Sequence, residues 1–248
     1  RNRGLPHEPT GVASRGQRGT ALELAVRFED GRQALAQAAQ LNLAFIETDN
    51  AAKGGYHILR NTLAGYKGRV YPVNPRYGEI LGTKCYPDIE SIPENFDLAI
   101  YFIPAKSLPD TIRACSKKGV KAIIIESAGF SEVGEEGGQL QRESVDLARS
   151  FGIRLWGPNC MGLLSMHSRL HAVGFLELRP KPGSLSIVSQ SGNIGVQLVT
   201  RAERRGIGID KYVSVGNQAS TTALDVLDAL ADDPTTTAAL VYLEGIGD

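Results

Sequence analysis

The sequence predicts an α/β protein made of two consecutive units, each with a parallel sheet covered by helices. Three observations carry this reading. Short apolar, β-branched runs alternate with stretches whose apolar residues recur at helical spacing. The same alternation restarts after a stretch containing Pro180, Pro182 and Gly183. Small and polar residues cluster just after the apolar runs, where an open parallel sheet presents its ligand-facing loops.

Taken in order, Arg1–Thr20 is rich in Arg, Gly and Pro and reads as a flexible lead-in, and residues 21–40 carry a loose helical periodicity broken at Asp30-Gly31. Residues 1–40 are therefore expected to be partly flexible or helical. The first unit is expected over 41–170. Within it Leu43–Ile46, Val70–Val73, Leu98–Ile103, Ala122–Ile125 and Arg154–Trp156 read as strands. Gly55–Leu63, Leu108–Lys118 and Gly137–Phe151 read as helices. The second unit is expected over 183–248, with strands at Leu185–Val188, Lys211–Val215 and Ala239–Tyr242 and helices at Ile194–Arg205 and Thr222–Ala231. Strand-helix-strand order with short connections demands right-handed crossovers and parallel strands. Because the second unit stops on a strand, it is expected to be truncated, its last edge covered by further chain or by a partner.

Composition excludes several function classes. The 248 residues hold 27 basic and 27 acidic side chains, so no net field draws the chain to nucleic acid or an anionic membrane. Cys85, Cys115 and Cys160 show no paired spacing, which argues against a disulfide framework or zinc site and fits a reducing cytoplasm. His7, His57, His167 and His171 form no ligand spacing, and no metal site is expected. There is no apolar run near the ~18 residues a membrane span needs.

The chemistry is expected in the loops. Ser184–Gly206 reads as strand, small-residue turn and helix, with Ser191 or Asn193 as cap, so unpaired N–H groups and the positive helix end face out of the turn. Taken alone this reads as an ordinary βα connection; its company along the sheet rim points to an anion. Lys53, Gly54 and Gly55 follow the first strand, Asn74-Pro75-Arg76 the second, Pro104-Ala105-Lys106 the third, Ser127-Ala128-Gly129 the fourth, and Gly157-Pro158-Asn159-Cys160-Met161-Gly162 the fifth. Cations, exposed backbone and small residues in that series suit a long phosphorylated cofactor better than a compact one. Cys160 lacks a sequence partner that would activate it and reads as a small apolar filler, not a nucleophile. A nicotinamide dehydrogenase is disfavoured, because G-x-G-x-x-G is absent and Asn74-Pro75-Arg76 stands where an acidic ribose ligand would be needed.

Seven segments in order carry a resemblance: YPVNPRYGEILGTKCYPDIESIP at 71–93, IPAKSLPDTI at 103–112, ESAGFSEVGEEG at 126–137, GPNCMG at 157–162, VSQSGNIG at 188–195, SVGNQAS at 214–220 and YLEGI at 242–246. On these the chain resembles the nucleoside-diphosphate-forming acyl-CoA synthetase family, which includes the α subunit of succinyl-CoA synthetase and ADP-forming acetyl-CoA synthetase. The resemblance implies a Rossmann-like CoA-binding domain followed by a flavodoxin-like ligase domain. It implies that carboxylic acid, CoA and ATP give acyl-CoA, ADP and phosphate by way of acyl phosphate and phosphohistidine. By the same resemblance Asn74, Pro75 and Arg76 lie along the adenosine end of CoA, Pro104 and Ala105 along its middle, and Ser127–Gly129 along the phosphate and pantetheine path; Lys53, Gly54 and Gly55, with Val73, are expected to bind the cofactor beside them, the paired glycines admitting a phosphate to the backbone and Lys53 adding a positive charge. Asn159, Cys160 and Met161 border the thiol. Ser189, Gln190, Ser191, Gly192 and Asn193 receive the phosphoryl group and acyl carboxylate, with Ser191 and Asn193 acting in catalysis, and Glu244 orients the phosphorylated histidine. ATP or ADP with Mg2+ would sit on an ATP-grasp partner domain or β subunit, the substrate would be a small carboxylic acid, and the assembly would be an oligomer.

Two departures shape the expectation. Glu47-Thr48-Asp49 occupies the first loop, where two carboxylates would repel a diphosphate, although Lys53-Gly54-Gly55 can offset them. None of the four histidines follows the YLEGI strand, so the chain is expected to be a fragment of a longer ligase, or alternatively a non-catalytic module that senses CoA or acyl-CoA.

Overall fold

The computed structural model describes residues 41–47, 54–174 and 180–245. The helices read within 21–40, Thr48 and Asp49 of the acidic first loop, and the cation Lys53 lie outside the described residues, while Glu47 ends the first strand.

In chain order the first unit runs β1 (Leu43–Glu47), α1 (Gly54–Leu63), β2 (Val70–Val73), a small hairpin β3 (Glu79–Ile80) and β4 (Thr83–Lys84), and β5 (Leu98–Phe102). It continues with α2 (Leu108–Lys117), β6 (Ala122–Ile125), α3 (Glu135–Ser150) and β7 (Arg154–Trp156). The five long strands pair in parallel in the order β2-β1-β5-β6-β7. From β1 the chain first steps outward to β2, then returns across β1 to β5. The direction of winding therefore reverses between β1 and β5, and a crevice opens beyond their carboxyl ends. β6 is buried at all four positions, as a strand covered on both faces must be.

The second unit contains β8 (Leu163–Ser165), β9 (Leu170–Ala172), β10 (Pro182–Ser189), α4 (Gly192–Arg204), β11 (Ile209–Ser214), α5 (Ala223–Ala231) and β12 (Ala238–Tyr242). Its sheet order is β12-β10-β11-β8-β9. β10 pairs in parallel with β11 on one side and β12 on the other, which puts a second reversal at the carboxyl end of β10.

The alternation read from sequence holds, with ends shifted by a few residues, but the β8–β9 hairpin is new. It pairs antiparallel with β11, so the change of sheet falls between β7 and β8, ahead of the 170–183 stretch. Leu163, Leu164 and Ser165 are all buried, so no in-out alternation marks the strand in the sequence.

The two sheets share one apolar core in which Phe45, Ile124 and Trp156 meet Val188, Val213 and Val226. Burying each such side chain contributes about 1.5–3 kcal/mol. Polar bonds register one unit on the other: Trp156 Nε1 donates to the Ser214 carbonyl at 2.8 Å, and Thr221 Oγ1 to the Leu155 carbonyl at 3.1 Å. Within the second unit a further network is ionic. Lys211 on β11 is buried, and its Nζ lies 2.7 Å from both Asp210 Oδ2 and Asp233 Oδ2. Thr235 and Thr236 donate to the same Asp210 oxygen, while His167 in the β8–β9 turn meets Asp210 Oδ1 at 2.8 Å. The network fastens the turn of the hairpin and the approach to β12 onto β11.

Candidate functional site

The sequence-predicted residues that fall among the described ones lie along one rim. At its outer end Asn74 is buried after β2, its Oδ1 accepting the Arg76 N–H at 2.9 Å, so the Asn-Pro-Arg turn is held by its own first side chain. Val73 and Pro75 line a cavity of about 490 Å³ shared with Ile46 of β1 and with Ile103 and Ser107 after β5. This slot, whose wall also carries Asp88, Glu90, Asp110, Arg113 and Lys117, stands at the first reversal of winding. Gly54 and Gly55 form the start of α1, so the two glycines belong to the helix itself.

Moving inward, a Cβ at Gly129 would lie 3.2 Å from the Ala105 Cβ, which shows how closely the loops after β5 and β6 approach. Ser127 Oγ donates to the Ile103 carbonyl at 2.7 Å, and the Asn159 N–H to the Ser127 carbonyl at 3.0 Å. Cys160 Sγ lies 3.4 Å from the Ile125 carbonyl. Met161 then bridges to the second unit: its N–H donates to Ser214 Oγ at 3.0 Å, and its side chain occupies the space that a Cβ on Gly192 would need.

At the inner end Ser191 is the cap of α4, accepting the Ile194 N–H at 3.4 Å, which places Gly192 and Asn193 in the first helical turn. Ser189 Oγ donates to the Ser191 carbonyl at 2.6 Å and shapes the turn. Gln190 reaches the neighbouring strand end, its Oε1 accepting the Glu244 N–H at 2.9 Å and the Gly245 N–H at 3.2 Å. The helix end thus faces the segment after β12, and its N–H groups suit an oxyanion. The rim runs from Asn74 across the shared cavity to the loop of Ala105, then through Gly129, Ser127, Asn159, Met161, Gly192 and Gln190 to Glu244.

One residue the sequence reading passes over is Glu126, the residue after β6. It is buried, and neither carboxyl oxygen reaches a hydrogen-bond partner among the described residues. Burial raises its pKa well above the ordinary 4.5, offset only slightly by the nearby Gly174 N–H. A neutral carboxyl here can donate a hydrogen bond without bringing charge. Burial first, and then Glu126 itself, push the Cys160 thiol up, which disfavours the thiolate that a nucleophile needs. The only sequence signal is a charged residue ending an all-apolar strand.

A pH experiment tests this state. The folded chain keeps a proton that the unfolded chain releases, so stability is full below about pH 4.5 and falls as pH rises towards the folded-state pKa. The slope reaches about 1.4 kcal/mol per pH unit. Urea unfolding across pH should show this slope in the wild type and its removal in Glu126→Gln; equal slopes would refute the assignment.

Comparison with known proteins adds the family. A CoA-binding-domain model matches residues 47–166, and a succinyl-CoA-ligase-like flavodoxin-domain model matches residues 182–248. The chain belongs to the NDP-forming acyl-CoA synthetase family. Over 196 residues it is 42% identical to the ADP-forming acetate–CoA ligase I of Archaeoglobus fulgidus, covering 79% of this chain and 28% of that protein. Over 201 residues it is 39% identical to the α subunit of ADP-forming acetate–CoA ligase II of Pyrococcus furiosus, covering 81% and 44%. The apo structure of dinucleotide-forming acetyl-coenzyme A synthetase 1 from Ca. Korarchaeum cryptofilum superposes with a TM-score of 0.79 at 38% identity, covering 83% of this chain and 45% of that one. The chain therefore spans less than half the length of these synthetases. Among its described residues no helix is long and apolar enough to cross a membrane.

Proposed function

We propose that this chain forms the CoA-binding and acyl-receiving portion of an NDP-forming acid–CoA ligase. The single observation that carries the reading is the continuous rim from Asn74 to Glu244, which joins the two reversals of winding. In this reading the nucleotide end of CoA lies along Gly54, Gly55 and Val73–Arg76, with the cavity of about 490 Å³ as its seat and Arg113 and Lys117 on its wall. Pro104, Ala105 and Ser127–Gly129 border the pantetheine arm, and Asn159, Cys160 and Met161 the thiol. Ser189–Asn193 hold the oxyanion of the acyl phosphate at the N-terminus of α4, where donors are fixed before charge develops. Glu244 stands ready to orient a phosphohistidine supplied from elsewhere in the ligase.

The remaining parts of the reaction are proposed on the same footing: a small carboxylic acid as acyl donor, and ATP or ADP with Mg2+ on an ATP-grasp domain or β subunit. The exposed edge strand β12, whose Leu240 and Val241 are more than a third exposed, offers a place for further structure to pair. Titration calorimetry tests the first half of the proposal. CoA and desulfo-CoA are both expected to bind one to one, because the nucleotide and pantetheine carry the contacts. A folded sample that gives no heat with either ligand would overturn the reading.

A further inference from the structure

Glu132 lies beyond the rim residues, in the short helical turn Ser131–Val133 after the Ser127–Gly129 loop, yet its carboxylate holds that loop from two sides. One oxygen accepts the N–H groups of Gly129, at 2.5 Å, and Phe130, at 3.1 Å. The other accepts Nδ2 of Asn217 at 2.5 Å, and Asn217 belongs to the second unit, in the loop after β11. Asn217 is itself spread across the junction. Its N–H donates to the Pro158 carbonyl at 2.9 Å, its Oδ1 faces Nδ2 of Asn159 at 3.3 Å, and Nδ2 also reaches Gln141 Oε1 at 3.1 Å. Burial pushes the Glu132 carboxyl up, but the donors from Asn217, Gly129 and Phe130 outweigh it and hold the group below the ordinary carboxylate range.

This arrangement is more than a surface contact, because the loops it joins come from different units and each borders the rim. The Gly129 backbone belongs to the unit proposed to carry the thiol, and Asn217 to the unit that carries the α4 helix end. We infer that Glu132 and Asn217 form a clasp that aligns the thiol arm of CoA with the oxyanion seat at the N-terminus of α4, making both of them positioning residues for acyl transfer. The inference rests on the proposed function. CoA contacts are spread over several loops, so loosening one clasp leaves its binding nearly intact. Alignment of two reacting groups is far more sensitive, since small displacements cost large factors in rate.

The donor and acceptor roles can be exchanged. Glu132→Gln presents an amide where two acceptor roles are required, and Asn217→Asp sets two carboxylates against each other. When the two substitutions are combined, the new amide can donate to the new carboxylate while its carbonyl oxygen still accepts from the Gly129 and Phe130 N–H groups. The pair is then restored with its polarity reversed. The experiment uses the complete ligase with its partner, after calorimetry has established CoA binding by the wild type; absence of that binding would sink the proposed function, not the clasp alone. Each single variant is expected to lower kcat about tenfold with the CoA KM within about twofold of wild type and only a small fall in Tm, the protein staying folded at the assay temperature, and the double variant to recover most of the loss in kcat. Single variants with wild-type kcat, a loss that falls on KM, or a double variant as slow as the product of the two singles would each overturn the inference.

Discussion

Lys211→Met is expected to destabilise the fold by about 3–5 kcal/mol, read as a large fall in the urea midpoint at neutral pH. The ammonium sits between two carboxylates, and the side chains of Lys211, Asp210 and Asp233 are 1%, 0% and 6% exposed. Methionine replaces the stem but leaves Asp210 and Asp233 buried with hydroxyl, imidazole and one backbone N–H as partners and no cation between them, and that uncompensated charge is the source of the cost. Acid behaviour should change with it. Burial pushes the Asp210 carboxyl up, but Lys211, Thr236 and Thr235 outweigh this and hold it below its ordinary 3.8. A depressed folded-state pKa stabilises above the unfolded value, and that stability is lost as pH falls through the folded one. The wild type should therefore lose stability below about pH 4, and Lys211→Met should lose less there. A variant within about 1 kcal/mol of wild type at neutral pH would show that the network contributes no net stability.

Gly162→Ala is expected to cost about 3 kcal/mol or more, because two penalties fall on one atom. Gly162 has φ of +79°, a region that an L side chain enters only with strain. Its added Cβ would also overlap the backbone carbonyl oxygen of Ala172, which is fixed in β9, and lie 2.6 Å from Oε1 of the buried Glu126. Gly152→Ala separates the two penalties. Gly152 has φ of +69° but nothing within 4 Å of the added atom, so only the conformational strain of about 1–2 kcal/mol is expected. Thermal unfolding of both variants reads the difference, and equal shifts would refute the close packing at Gly162. Since residue 162 joins Met161 to β8, calorimetry on Gly162→Ala should also show weakened CoA binding under conditions where the variant remains folded.

How much of this is legible in the sequence differs from element to element. β2 and β6 can be read at Val70–Val73 and Ala122–Ile125, because a strand buried on both faces is a short apolar run with few other uses. The helix end at Ser191 can be read because a small-residue turn before helical periodicity has a known capping chemistry. The β8–β9 hairpin escapes such a reading because its partner, β11, lies some 45 residues further along the chain, and local pattern carries no signal for such a pairing. Glu126 escapes it for a related reason. A carboxylate at a strand end looks solvent-facing until Gly162 and Gly174 are known to close over it.

The alternation of strands and helices and the small-residue loops after the strands are enough to assign the α/β class, which rests on periodicity and local composition, and the seven ordered motifs carry the resemblance to the synthetase family. Only the tertiary structure decides that the winding reverses at β1 and again at β10, and that Asn217 of one unit reaches Glu132 of the other. Those are properties of strand order and of contacts between segments about 85 residues apart. Sequence periodicity records which face of an element is buried, but not which distant element it is buried against.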